Sequence, residues 1–424
     1  MNNVLPRVLD RRLIAALLLG FASGLPLALS GATLQAWLTT QGASLQSIAW
    51  FSLAGLPYTW KFLWSPGLDR YSPAFGGRRR GWMVLMQISL AIVLLGMANT
   101  AVPESLPQLA GLAVLLAFLS ASQDVVIDAW RTEVLAPSQR GLGGAMAVMG
   151  YRLGMLVSGA LALILAQSLG WQSVFNLMAA IFLVLPLVSL WAPEPQSELH
   201  VPKTLHEAIV GPLKEFIGRR GAWALLLLVV AYKLSDAFAT ALSTTFLLRG
   251  AGFSLAEVGL VNKAVALMAT LLGALLGGIG LVHLGLVRAL FVFGLLQALA
   301  ALGFFALALQ GHDFVLMVIV VSTENLTSGM GTAAFAALLM GLCSTRYSAT
   351  QFALLSALSA VGRVYVGPLS GLLAESLGWP LFFLFSVLAG VPGLLLVWIL
   401  RGELQFDQAL GQTSENSKSR TVQG

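Results

Sequence analysis

Residues 142–192 read LGGAMAVMGYRLGMLVSGALALILAQ, then SLGW, then QSVFNLMAAIFLVLPLVSLWA. Two apolar runs, 142–167 and 172–192, are separated only by Ser168-Leu169-Gly170-Trp171. About 20 helical residues, rising 1.5 Å each, cross a hydrocarbon layer of ~30 Å. Hydrocarbon offers no hydrogen bonds to an open backbone, so each run crosses as a helix. The short break leaves room only for a turn, and the stretch reads as two consecutive membrane spans.

The same reading extends over the whole chain. Spans fall at about 13–37, 46–68, 81–100, 107–132, 142–167, 172–192, 222–247, 256–281, 286–309, 314–341, 349–376 and 379–400, numbered 1 to 12 below. Of the 424 residues 58% are hydrophobic and 10% charged, and mean hydropathy is +0.85. An ordinary soluble protein is about 25% charged. The net charge of +6 does not point to nucleic acid, because of where the bases lie. Eighteen of the 24 Lys and Arg occupy the termini and alternate loops, and only Arg249 falls on the other side. That is the positive-inside pattern, which predicts cytoplasmic termini. Cys343 is the single cysteine, so no intrachain disulfide forms. Met1 to Leu29 has a basic start and a long apolar run, and eleven further spans follow it; it reads as a retained first span.

The longest break, 193–221, is polar, carries Pro193, Pro195 and Pro202, and mixes charges from Glu194 to Arg220. It separates an N-terminal six-helix half, 1–192, from a C-terminal half, 222–400, with a polar tail over 401–424. Ser168-Leu169-Gly170-Trp171 recurs as Ser376-Leu377-Gly378-Trp379, and in the same register Gly154 meets Gly362 and Gly159 meets Gly367. Gly42-Ala43-Ser44-Leu45 matches Gly252-Phe253-Ser254-Leu255. A constant offset near 208–210 at both ends of the halves indicates a repeat. Two parallel six-helix repeats are the layout of the major facilitator superfamily. The expected fold is therefore an all-α integral membrane protein with 12 transmembrane helices in two pseudo-repeats.

Nine ionisable residues fall inside spans: Lys61, Asp124, Asp128, Arg152, Lys233, Asp236, Lys263, Glu324 and Arg363. Each costs about 2.5–3.5 kcal/mol at a helix centre. Facing lipid, nine together would cost on the order of 25 kcal/mol, more than the 5–15 kcal/mol stability of a typical protein. They must face a hydrated path or one another, as a transporter requires. Asp124 and Asp128 are four apart and share a face of span 4, where their repulsion favours holding a proton; they are the expected proton-coupling pair. Lys61 and Arg152 lie near their depth. In the second half Lys233 and Asp236 are three apart, and Glu324, Asn325 and Arg363 lie near mid-depth on spans 10 and 11. Five bases against four acids suit an anionic solute. Gln35, Gln123 and Gln351 are costly in a span unless paired, and Tyr151 and Tyr232 lie beside the charges. All of these are expected substrate-binding residues. Static salt bridges and aromatic packing are the competing explanations.

Asp69-Arg70, followed by Gly77-Arg78-Arg79-Arg80, resembles the signature loop of the major facilitator superfamily, with Ser65 where glycine is usual. That likeness makes Asp69, Arg70 and Arg78 an expected conformational latch. Small residues at Gly150, Gly154, Ser158 and Gly159 let helix backbones approach. His200, His206, His283 and His312 are scattered without metal spacing, and no nucleophile elbow is present, so neither a metal nor an enzyme activity is expected.

Longer motifs carry a closer likeness. Gly20-Phe21-Ala22-Ser23-Gly24-Leu25-Pro26, Thr33-Leu34-Gln35-Ala36-Trp37, Lys61-Phe62-Leu63-Trp64-Ser65-Pro66, Ser120-Ala121-Ser122-Gln123-Asp124, Asp128-Ala129-Trp130, Tyr151-Arg152-Leu153-Gly154 and the run from Gln351 to Pro368 resemble the AmpG-type muropeptide permeases of that superfamily. The resemblance implies a bacterial inner-membrane importer of N-acetylglucosaminyl-1,6-anhydro-N-acetylmuramic acid and its peptides. It further implies coupling to the proton gradient, no cofactor, and a part in wall recycling and β-lactamase induction. The family's membrane carboxylates fall on Asp124 and Asp128. The expected partners are the muropeptide and the lipid bilayer, with the protein a monomer. Another amphipathic or anionic sugar or drug as cargo, or a muropeptide sensor that does not transport, remain alternatives.

Overall fold

The computed structural model describes residues 10–135, 140–195, 214–219, 221–343 and 348–404. The side chains of Asp69, Arg70, Lys263 and Arg363 lie outside the described residues, as does the tail beyond Leu404. Among the described residues regular structure is helical throughout. Nine helical stretches are long and apolar enough to cross a membrane, and two of them, Met146–Trp191 and Leu354–Ile399, run to 46 residues. Each of these two breaks at a glycine, where Gly170 (φ 77°, ψ 161°) and Gly378 (φ 76°, ψ 168°) leave the helical region, and the second is interrupted again at 389–390. A positive φ is strained for a residue with a Cβ, which is why glycine stands at both turns.

Span 2 is not a continuous helix. Leu45–Trp50, Leu56–Trp60 and Ser65–Arg70 are α-helical, with 3-10 turns at Phe51–Gly55 and Lys61–Leu63 between them. Pro57 and Pro66 each remove a backbone donor and crowd the preceding turn, so one uninterrupted ladder cannot form. Counting this segment as one crossing and both long stretches as two is consistent with the expected twelve. The SLGW repeat is thus a repeat of backbone conformation. So is a match between Gly77 (φ 92°) and Gly285 (φ 73°), each preceding a long helix, at the same offset of 208. Ser44 and Ser254 likewise cap matching helices, accepting from the amides of Ser47 and Glu257.

By contact the chain divides into two compact units, Met1–Val201 with Leu247–Ala264, and Pro202–Phe246 with Val265–Gly424. The first unit is built on spans 1 and 5. A Cβ on Gly20 or Gly24 would strike the backbone of Ala147 or Tyr151, and one on Gly150 or Gly154 the backbone of Leu17 or Phe21. Four glycines at a spacing of four thus let the two backbones touch. Leu19, Met83, Ile127 and Trp130 fill the core beside them. Arg249, the one cation on the far side, belongs to this unit. Its guanidinium donates to the carbonyls of Thr39 and Ala43, at and just beyond the end of the helix Ala32–Thr40. The Thr39 carbonyl also accepts from the Gly42 amide, so the guanidinium adds to the bonds of the helix end, where a cation suits the helix dipole.

In the second unit Gly273 and Gly277 of span 8 meet the backbone of Leu326 and Met330 of span 10, the same device. Phe246, Phe304, Trp379 and Phe383 form an aromatic cluster at one end. Leu187, Val282, Leu309 and Val315 stand open on helix surfaces, which suits a bilayer and would be a liability in water.

The glycine contact makes a test. Gly150→Leu should lower the thermal unfolding midpoint of the purified protein, since overpacking costs about 1–3 kcal/mol and backbone here cannot yield. Gly111→Ala, with open space around its Cβ position, should leave the midpoint within error. Equal midpoints for both variants would contradict this packing.

Candidate functional site

Each unit holds one polar cluster at membrane depth. In the first, Ser120, Gln123 and Asp124 share a face of span 4, Leu106–Val134. Ser23 of span 1 hydrogen-bonds the Asp124 carboxyl, and the positive charge of Lys61 acts on it. Lys61 sits where the helix Leu56–Trp60 ends, so the break in span 2 presents it. The Tyr58 hydroxyl faces Asp124, Ser120 and Ser30. Gln123 Nε2 donates to the Ala22 carbonyl at 2.9 Å, tying span 4 to span 1.

Four buried polar atoms here complete no hydrogen bond with the protein: Tyr58 Oη, Ser120 Oγ, Gln123 Oε1 and Asp124 Oδ1. Leaving a buried polar group unsatisfied costs about 1–3 kcal/mol, and native proteins do so rarely. Atoms held open in this number suit exchangeable partners such as water, a proton or ligand hydroxyls. Arg152 and Tyr151 of span 5 are half-buried, and Arg152 makes no ion pair among the described residues.

The structure separates the two span-4 aspartates. Asp128 is 57% exposed in its side chain and pairs with Arg131 at 3.0 Å. It is one turn from Asp124 but already compensated, leaving Asp124 as the buried, open acid.

In the second cluster, Lys233 lies at a break in span 7, between Ala222–Ala231 and Leu234–Ala241. Its ammonium donates to Thr332 Oγ1 at 3.0 Å and lies 3.8 Å from Asp236 Oδ2. It also stands 5.8 Å from the Phe335 ring centroid, on which Tyr232 stacks. Asp236 Oδ1 accepts from Gln297 Nε2 at 2.7 Å and Ser328 Oγ at 3.0 Å. Glu324, 4% exposed, accepts from Asn325 Nδ2 at 2.8 Å, and Asn325 Oδ1 accepts from Thr270 at 3.2 Å. Four spans therefore meet on this group. Tyr232 donates its hydroxyl to the Leu290 carbonyl at 3.1 Å and serves packing first.

Two expected binding residues lie elsewhere. Gln351 donates to Glu215, which pairs with Arg219, and Arg219 in turn reaches the Leu342 carbonyl. Its amide is consumed at the end of span 11, by a partner far away in sequence. Gln35 lies half-buried beyond the break at Ser30–Gly31 in span 1.

Arg78 does join a charged group, though with partners the sequence reading passed over. Glu133, at the end of span 4 and 1% exposed in its side chain, is clasped by both Arg78 and Arg79. Glu194 accepts from the backbone amides of Arg79 and Arg80, at 2.9 and 3.1 Å, and caps the helix Arg78–Ala98. A lone acid at each span end, on the side rich in bases, was the available signal. Gln297, Ser328 and Thr332 are further members of the second cluster; Gln297 carries the same signal as the other span glutamines, whereas Ser328 and Thr332 can satisfy themselves on their own helix and stand out only beside a charge.

The Major Facilitator Superfamily pattern matches residues 13–366. The anhydromuropeptide permease of Escherichia coli K12 is 53% identical over 407 residues, 96% of this chain and 82% of that protein. The putative transporter AmpG 4 of Rickettsia conorii is 33% identical over 401 residues, 92% of this chain and 97% of that protein. Among solved structures, a bacterial homologue of the human lysosomal transporter Spinster has a TM-score of 0.72 at 16% identity, covering 94% of this chain and 98% of that one. A D-xylose–proton symporter has a TM-score of 0.65 at 14% identity, covering 92% and 96%. At such identities the solved structures speak for the fold alone, whereas the pattern and the relatives span nearly the whole sequence. The chain belongs to the major facilitator superfamily of multi-pass membrane transporters.

Proposed function

We propose that the protein imports anhydromuropeptides, N-acetylglucosaminyl-1,6-anhydro-N-acetylmuramic acid and its peptides, across the bacterial inner membrane by proton symport. The observation that carries the cargo is the 53% identity, over 96% of the chain, to a permease named for it. On this reading both termini are cytoplasmic and the monomer is the working unit. The protein moves its cargo chemically unchanged, without a cofactor. The repeats are the six-helix halves 1–192 and 222–400.

Asp124 is the proton carrier of the first unit. Its open Oδ1 can take a proton from water, and taking it removes the charge that burial penalises. Lys61, its opposing charge, is thereby released towards a ligand. Within its own unit each of two cations suits a ligand carboxylate: Arg152, which makes no ion pair among the described residues, and Lys233, loosely paired with Asp236. Tyr58, Ser120 and Gln123 offer open hydrogen-bonding atoms to hydroxyl and acetamido groups. Alternating access then carries proton and cargo together.

Proteoliposomes holding the protein, acidic on the side that corresponds to the periplasm, should accumulate labelled disaccharide, and a protonophore should abolish accumulation. Asp124→Asn should abolish it too. Asp128→Asn should keep most of it, because that carboxylate is exposed and spent on Arg131. No gradient-dependent accumulation by the wild type would rule out proton-driven import.

A charge-assisted hydrogen bond is worth about 1.5–3 kcal/mol, a factor of ten or more. Arg152→Gln should therefore raise KM at least ten-fold with a smaller change in maximal rate. An unchanged KM would remove Arg152 from the site.

A further inference from the structure

We infer that Lys233 and Asp236 form a ligand-operated ion pair. A ligand carboxylate takes the Lys233 ammonium, and the displaced Asp236 takes up a proton. This rests on the proposed muropeptide import and adds a second coupling element, in the second unit.

Among the described residues, the groups that face the pair come from four spans. Span 7 supplies Tyr232, Lys233 and Asp236; span 10 supplies Glu324, Asn325, Ser328 and Thr332; span 9 supplies Gln297; and span 8 supplies Thr270. Among the described residues the titratable members are Tyr232, Lys233, Asp236 and Glu324. The Tyr232 hydroxyl is engaged by the Leu290 carbonyl. Glu324 is nearly fully buried and, among the described residues, accepts one hydrogen bond, from a neutral amide, and touches no cation. That environment compensates the carboxylic acid and leaves a carboxylate uncompensated. Neutrality then requires the remaining charges, Lys233 and Asp236, to balance each other.

The pair is built to separate. At 3.8 Å the Lys233–Asp236 contact is longer than a hydrogen bond, whereas Lys233 is held firmly by Thr332 at 3.0 Å. Asp236 keeps two donors of its own, Gln297 and Ser328, both on Oδ1. Its second oxygen, Oδ2, faces only the ammonium. When a ligand carboxylate replaces Asp236 at Lys233, the oxygen left without a partner is the one that can receive a proton. The Gln297 and Ser328 bonds need not break.

The charges balance in both states. Empty, the cluster holds Lys233 positive, Asp236 negative and Glu324 neutral. Loaded, it holds Lys233 positive, the ligand carboxylate negative, and both acids neutral. One proton enters with one ligand charge, and neither state leaves a net charge buried. A half-loaded cluster, with ligand but no proton or proton but no ligand, carries one unpaired charge. It is disfavoured for crossing, as strict coupling requires.

The test measures binding and transport of the labelled disaccharide, which bears one carboxylate. In the wild type, Asp236 should contribute a fall in affinity of about ten-fold per pH unit above the pH at which the empty pair holds its charge, the slope of one linked proton, beside any contribution of Asp124. In Asp236→Asn, Lys233 is permanently available. The contribution of Asp236 to the pH slope should disappear, and exchange of labelled for unlabelled ligand should persist. Gradient-driven accumulation should fall at least ten-fold, because the empty cluster then holds an unpaired cation. Asp236→Glu should restore the pH slope, and Lys233→Gln should abolish binding at every pH.

An Asp236→Asn protein that keeps the wild-type pH slope overturns the inference. So does one that, while monodisperse, loses exchange together with accumulation, since Asp236 would then be a packing residue. An Asp236→Glu protein whose pH slope is one proton smaller than that of the wild type overturns it as well, which decides the matter where Asp236→Asn does not fold. If the wild type binds ligand without accumulating it, the import reading fails, and the binding profiles still decide the pair.

Discussion

An ion at bilayer depth has to be compensated by the protein, because hydrocarbon supplies neither hydrogen bonds nor counter-charge. This constraint organises the rest of the molecule. It explains why Asp236 gathers Gln297, Ser328 and Lys233 from three spans. It explains why Glu133 is clasped by two arginines and why Arg249, on the side otherwise free of bases, spends its guanidinium on carbonyls at a helix end. Where compensation is left incomplete, as at Asp124 Oδ1 and its three orphaned neighbours, the gap needs a mobile partner. A transporter is a protein whose compensation is completed by what it carries.

The scaffold serves that arrangement by two means. Glycines four apart bring the backbones of spans 1 and 5, and of spans 8 and 10, into contact, so that short polar side chains can reach across. Helix interruptions do the rest. Lys61 and Lys233 both sit at breaks, in spans 2 and 7, which are not equivalent positions of the two repeats. A break frees backbone carbonyls and turns a long side chain away from the regular helical stripe. Each unit thus presents one lysine near one partly buried aspartate, Asp124 in the first and Asp236 in the second.

Much of this was legible in the sequence, for physical reasons. Run length fixes membrane crossing, and the recurring Ser-Leu-Gly-Trp marks a turn whose positive φ admits glycine. A charge in an apolar run is conspicuous because it is costly. Spacing alone did not separate Asp124 from Asp128. Helical geometry puts them on one face, and the distinction comes from Arg131, three residues further on, which was read only as a loop base. The interruption of span 2 was foreshadowed by Pro57 and Pro66 but is invisible to hydropathy. Gln351 was misplaced because its partner, Glu215, lies 136 residues away and only folding brings them together. The grouping of Leu247–Ala264 with the first unit has no local signature either, since it is a property of contacts.

The central claim is that cargo and protons cross together because neither crosses as an uncompensated charge. The most direct measurement follows protons rather than sugar. Lightly buffered proteoliposomes are held at equal pH on both sides, muropeptide is added outside, and external pH is recorded. The account predicts that the medium turns alkaline as cargo enters, in proportion to cargo taken up, and that dissipating the proton movement removes the signal. Uptake of cargo with no change in external pH would contradict it.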